Sequence, residues 1–187
     1  EQNFQLRGSY AYRMSLGAGE LGIGLNLGLF NYNMTGEWVA TNSDDPLLPQ
    51  EQINKIAFDG GLGAFYSTEK WYAGISGIHL NSPRFSQGAV TLAKRPAFYA
   101  NAGYSLQINS VLELIPSTHV KFDGTVTQFD LNALIVYNKK MWGGVSYRIE
   151  DAIAVLAGVN IPQLPGLKIG ASYDITMSSL GDHSSGS

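Results

Sequence analysis

A two-residue alternation of apolar and polar side chains runs through most of this chain and restricts it to strands. Successive side chains of a strand point to opposite faces, whereas a helix would mix the two sets. Residues 4–16 place Phe4, Leu6, Gly8, Tyr10, Tyr12, Met14 and Leu16 on one parity and Gln5, Arg7, Ser9, Ala11, Arg13 and Ser15 on the other. Leu21, Ile23, Leu25, Leu27 and Leu29 then oppose Gly22, Gly24, Asn26 and Gly28. The pattern returns four times in the last third, on Thr125 to Tyr137, Met141 to Ile149, Ile153 to Ile161 and Leu167 to Met177. Six strands follow directly, and weaker alternation over 54–66, 71–80, 96–108 and 111–120 brings the total to about ten antiparallel strands.

The connections divide by length. Gly17 to Glu20, Ser67 to Lys70, Asn138 to Lys140 and Pro162 to Gly166 are short turns. Met34 to Ile53 and Asn81 to Arg95 are long, of a length uncommon in compact soluble domains. Short turns at one end with long loops at the other is the habit of outer-membrane barrels. Glu150-Asp151 is the exception, a short connection on the long-loop side.

A soluble sandwich or a lipocalin-like barrel also alternates, so the two faces must be told apart. The apolar parity of the six clear strands carries no charge, while Arg7, Arg13, Asp130, Arg148, Lys168 and Asp174 all lie on the other parity. A Lys or Arg facing lipid at mid-bilayer costs about 2–4 kcal/mol, so a charge-free face suits lipid. The polar parity is rich in Gly, Ser and Asn rather than the Lys and Glu of a watered surface. Tyr10, Tyr12, Tyr66, Trp71, Tyr137, Tyr147 and Tyr173 share the apolar parity, mostly towards strand ends, where amphipathic rings fit the headgroup level. Strands of up to about 13 residues also exceed the usual soluble length. The residues therefore predict an all-β fold, an antiparallel transmembrane β-barrel. Charged residues make up only 14% of the chain, against about 25% in soluble domains.

No apolar run reaches the ~18 residues of a membrane-crossing helix. The net charge of −3 offers no electrostatic footprint for nucleic acid. The absence of cysteine removes disulfides, zinc ribbons and thiol nucleophiles. His79, His119 and His183 share no metal-ligand spacing, and His79 reads as a strand-boundary residue. No nucleophile elbow accompanies the serines, and Gly60-Gly61-Leu62-Gly63 lacks the Lys-Ser/Thr of a phosphate loop. No catalytic, cofactor or metal site is expected.

Two residue sets remain as functional candidates. Arg7, Arg13, Asp59, Asp130, Arg148, Lys168 and Asp174 are expected to face inward as a lumenal charge network, since charges removed from water need partners. Trp38, Asp44, Asp45, Pro46 and Pro49 in the first long loop, and Pro83, Arg84 and Phe85 in the second, are candidates for partner contact, because loops on a rigid scaffold carry function.

Several blocks also resemble, in order, segments of the PorP/SprF family of type IX secretion membrane proteins. They are Ser9-Tyr10-Ala11-Tyr12-Arg13, Leu21 to Leu25, Asn31-Tyr32-Asn33, Ala64 to Gly74, His79-Leu80-Asn81, Leu114 to Ser117 with Val120-Lys121, Gln128 to Ala133, Trp142 to Arg148, Tyr173 to Thr176, Ser179 to Gly181 and Ser184 to Ser187. The resemblance implies one barrel domain over 1–187 lacking a signal peptide and N-terminal strands as well as the last C-terminal strand. About ten strands would then belong to an even-stranded barrel of ~14. It further implies a non-enzymatic integral protein of the Gram-negative, Bacteroidetes-type outer membrane, in contact with lipid. Its partners would be periplasmic ring lipoproteins or ring subunits of the secretion and gliding machinery, or a secreted adhesin. A passive channel for small solutes is the alternative, and an outer-membrane enzyme such as a lipase a third.

Overall fold

A computed structural model describes residues 2–34, 53–87, 90–162, 164 and 166–177. The described residues form thirteen strands: β1 Gln2–Leu16, β2 Gly19–Met34, β3 Ile53–Ser67, β4 Trp71–Ile78, β5 Arg84–Gln87, β6 Val90–Ala93, β7 Ala97–Tyr104, β8 Leu106–Gln107, β9 Leu112–Phe122, β10 Thr127–Tyr137, β11 Met141–Arg148, β12 Ala152–Asn160 and β13 Lys168–Thr176. Ten of them form one antiparallel meander in the order β1-β2-β3-β4-β7-β9-β10-β11-β12-β13, with β8 folded back on β9 and β5–β6 a separate hairpin. The described sheet is open, with β1 and β13 at its edges.

Register keeps each parity on one face from strand to strand. Leu27 pairs with Gly8 and Gly60, Leu131 with Thr118 and Tyr147, and Val155 with Val145 and Tyr173. A one-residue slip would put every side chain on the wrong face, so the alternation excludes odd slips and the short turns select among the even registers. The apolar face is exposed: Leu6, Tyr10, Ile23, Leu27, Phe58, Ile75, Phe129, Leu131, Val145, Val155, Ile169 and Tyr173 are all open. Among the described residues the buried apolar core is only Phe30, Ala97 and Ala152. A lipocalin-like barrel would hide these aliphatics inside. Soluble monomers rarely show contiguous apolar patches above a few hundred Å², so this surface fits lipid, as an outer-membrane barrel requires. Among the described residues no helix is long and apolar enough to cross a membrane.

The polar face is paved with glycine for a packing reason. Trp142 of β11 lies across Gly158 of β12 and Gly170 of β13, where a Cβ would run into its ring. Tyr72 covers Gly103 in the same way, and Phe65 covers Gly74. Phe65 and Tyr72 also stack, with centroids 5.6 Å apart. Rings laid flat over strand glycines restore the packing that glycine forgoes.

Two segments depart from the expectation. The 81–95 connection, read as a loop, contains the β5–β6 hairpin, whose four-residue strands are too short to show a clear alternation. The strand expected over 96–108 breaks at Ser105, whose amide turns to Lys70 O at 2.6 Å and whose hydroxyl bonds Glu113.

Candidate functional site

The strands end at two rims, and each gathers polar groups in its own way. At the rim of the long connections, β1, β2 and β3 bring Arg7, Gly28 and Asp59 into one row across the polar face. Gly28 between them leaves no side chain in the way, so Arg7 Nη2 reaches over β2 to donate to Asp59 Oδ2 at 2.7 Å. Gln5 Nε2 approaches the same oxygen at 3.5 Å, and His79 Nδ1 lies 2.9 Å from Asp59 Oδ1. The Asp59 side chain is 0% exposed. A carboxylate taken out of water needs this full set of partners.

His79 reaches Asp59 from the residue after β4, at a positive φ of 57°. Strain at a bulky residue persists only where surroundings over-determine it, and here several contacts do so. β3 has 15 residues and β4 only 8, so β4 pairs no further along β3 than Leu62. Beyond that point the next residues take over. Leu80 N donates to Gly60 O at 3.0 Å, Asn81 Oδ1 accepts from Gly60 N at 3.0 Å, and Asn81 Nδ2 donates to Phe58 O at 2.6 Å. The Asn81 amide thus substitutes for a strand neighbour. Where the connection returns, Lys94 N donates to Pro83 O, and Lys94 Nζ sits 3.6 Å from the centre of the Phe30 ring. Burial pushes the Lys94 ammonium below its usual range, partly offset by Asp59 and reinforced by Arg7. Arg95 Nη1 then donates to Thr125 Oγ1 at 2.8 Å, linking the connection to the β9–β10 turn.

A second cluster lies across β10 and β11, which pair Asp130 with Arg148. Arg148 Nε donates to Asp130 Oδ1 at 3.3 Å and Nη1 to Asp151 Oδ2 at 3.4 Å, while Gln128 Nε2 reaches Asp130 Oδ1 at 3.2 Å. Arg13, Lys168 and Asp174 join neither cluster and form no ion pair among the described residues. Arg13 and Glu20 instead line a cavity of about 600 Å³ on the polar face, floored by Gly22, Gly24, Gly63 and Gly74. Pro83 is buried and Arg84 exposed. The Phe85 side chain, and Trp38, Asp44, Asp45, Pro46 and Pro49, lie outside the described residues. Sequence reasoning did not find Gln5 on Asp59, nor Asn81 and Lys94 in the adjoining connection, while His79, expected at a strand boundary, stands just after β4 and also reaches Asp59. Only the block His79-Leu80-Asn81 carried a signal.

At the opposite rim the short turns are tied to one another. Tyr66 Oη donates to Leu16 O at 2.9 Å, Ser105 N to Lys70 O at 2.6 Å, and Asn138 N to Val111 O at 2.6 Å. Asn160 finishes the series, its backbone N donating to Lys140 O at 2.7 Å and its Nδ2 to Lys139 O at 2.6 Å. Asn138 and Lys139 hold positive φ values of 50° and 56°, the mark of a tight hairpin turn.

Both Asp59 oxygens are engaged, Oδ2 by Arg7 and Gln5 and Oδ1 by His79 Nδ1. Among the described residues no group of three or more His, Cys, Asp and Glu is placed to hold a metal ion. A family model described as "Type IX secretion system membrane protein PorP/SprF" matches residues 1–187. No curated protein and no solved structure matches the chain.

Proposed function

Since this chain belongs to the PorP/SprF family of type IX secretion system membrane proteins, we propose that it is an outer-membrane β-barrel that serves this machinery by docking other proteins, without bond chemistry. Its partners are periplasmic ring subunits, including ring lipoproteins, or a secreted adhesin. The observation that carries this reading is the combination of an uninterrupted lipid-type face with a rim of mutually bonded turns. The first anchors the protein and the second presents a fixed surface. Unpaired strand edges are not tolerated in lipid, so β1 and β13 call for further pairing, from strands of this protein or from another chain, and the family resemblance implies an even-stranded barrel of about 14. Short turns of such barrels face the periplasm, which puts the bonded rim there and the Asp59 cluster at the cell exterior.

Native-membrane isolation with a tag on this protein, followed by mass spectrometry, tests the docking role. Recovery of secretion or gliding components at constant ratio supports it, and recovery of the barrel alone contradicts it. The cavity with Arg13 and Glu20 favours a second reading, a passive channel for small solutes. Steady conductance in planar bilayers that drops on Arg13→Ala or Asp130→Ala would favour the channel over docking alone.

A further inference from the structure

The bonded rim is electrically divided, and the division has a consequence for what can sit on it. Its β1–β4 sector carries Glu20 and Glu69 beside Lys70, all exposed. Its β10–β13 sector carries Lys139, Lys140 and Lys168, also exposed, and no carboxylate. These three lysines form no ion pair among the described residues. Glu113 of β9 borders this sector, lining a small cavity with Lys139, and accepts from Ser105 Oγ without an ion pair to a lysine among the described residues.

The lysines are held in place by backbone, not only by side-chain preference. Lys139 occupies a positive-φ position that a glycine would fill at lower cost, and its carbonyl is gripped by the Asn160 amide. The Lys140 carbonyl is held by Asn160 N. Lys168, on the polar parity, is the first residue of β13 and lies directly opposite Asn160, so it stands in the last layer of the sheet at this rim. One asparagine therefore stands among all three lysines. Ile108, Val111 and Leu164, in the turns on either side, are all more than a third exposed. Lysines on held backbone positions, interspersed with exposed aliphatics, match a protein interface with an apolar centre and charges that set register and partner choice.

From this geometry we infer that the β10–β13 sector of the short-turn rim is the docking surface for an acidic protein segment, whose carboxylates pair with Lys139, Lys140 and Lys168. The inference rests on the docking function proposed above and adds to it the place and the chemistry of the contact. A lipid-headgroup role fits less well. Headgroups surround the whole barrel, and a headgroup belt would be cationic all round, whereas Glu20 and Glu69 occupy the other sector of the same rim.

Zero-length carbodiimide coupling in isolated native outer membranes reads this contact, because it joins a lysine to a carboxylate only where the two touch. We expect amide adducts from Lys139, Lys140 or Lys168 to Asp or Glu of another polypeptide. The triple variant K139Q/K140Q/K168Q should lower the amount of larger complex on native gels at least tenfold, with the barrel still folded by its heat-dependent gel mobility. The variant K139R/K140R/K168R keeps the charge but cannot couple, so it should retain the complex and lose the adducts. It also serves if the glutamine variant fails to fold. Intact complexes in the glutamine variant, or lysines that stay uncoupled or couple only to lipid in wild-type membranes that contain complexes, overturn this inference alone. Wild-type membranes in which the barrel forms no complex overturn the docking function and this inference together.

Discussion

The short-turn rim and the long-connection rim finish the same strands by opposite means. At the short-turn rim the fastening is distributed: four neighbouring pairs of turns each share a backbone carbonyl with a donor from the next, and every link is a modest hydrogen bond. At the other rim it is concentrated, because Arg7, Gln5 and His79 converge on one fully buried carboxylate. A net contribution of about 1 kcal/mol per ordinary hydrogen bond means that no single change dissolves a distributed rim. Loss of one partner from a buried charge cluster is far costlier, since it strands the others. Robustness therefore belongs to the rim proposed for docking, and single-residue sensitivity to the opposite rim.

The largest expected effect follows from removing the hub. Asp59→Ala leaves Arg7 and His79 without their acceptor and should destabilise the barrel by about 3–5 kcal/mol. Limited proteolysis should then cut within 79–96 while the amides of the short turns keep their protection against hydrogen exchange. Equal loss of protection at both rims would break the contrast. Next in size is Gly158→Leu, which drives a side chain into the Trp142 ring. Overpacking of this kind costs about 1–3 kcal/mol, readable as a lower unfolding midpoint and a shifted tryptophan emission.

Smaller again is Asn160→Ala, which removes the bond to Lys139 O and should cost about 1 kcal/mol. Its sharper readout is faster amide exchange over 138–140, with 79–96 unchanged. The smallest effect is a pH dependence at the long-connection rim. Asp123 Oδ1 accepts from Thr125 N at 3.1 Å and Val126 N at 3.0 Å, and these bonds hold its carboxyl below the ordinary value of 3.8. A depressed carboxyl contributes order that is present above its unfolded value and lost as pH falls through the folded one. Exchange at Thr125 and Val126 should therefore accelerate only below about pH 4, and Asp123→Ala should abolish that step.

Much of the sheet was legible because parity is a local signal that registers on both neighbours at once. Leu21 to Leu29 and Phe129 to Tyr137 could be read as strands from their own residues, and parity put Asp130 and Arg148 on one face, although only the fold makes them direct partners. The Asp59 cluster was half legible. Arg7 and Asp59 declare their parity, but His79 reaches them through a left-handed residue just past a strand that stops early, and no pattern in the sequence marks where β4 ends. The hairpin at Arg84–Gln87 and Val90–Ala93 was hidden for a related reason, four residues being too few for a period of two to stand out. Glycine on the polar parity suggested a crowded interior. The particular rings that occupy the space, Trp142 over Gly158 and Gly170 or Tyr72 over Gly103, depend on neighbouring strands and only the fold supplies them. The links between turns are carried mainly by backbone groups, to which side-chain identity gives no clue.

Orientation in the membrane decides which rim can dock a periplasmic protein, and the cysteine-free chain makes it directly measurable. Single cysteines at Arg84 and Gly124 on the long-connection rim, and at Lys139 and Leu164 on the short-turn rim, would be exposed to a membrane-impermeant maleimide on intact cells. The account predicts labelling at 84 and 124 on intact cells, and at 139 and 164 only after the outer membrane is permeabilised. Labelling at 139 and 164 on intact cells would contradict it.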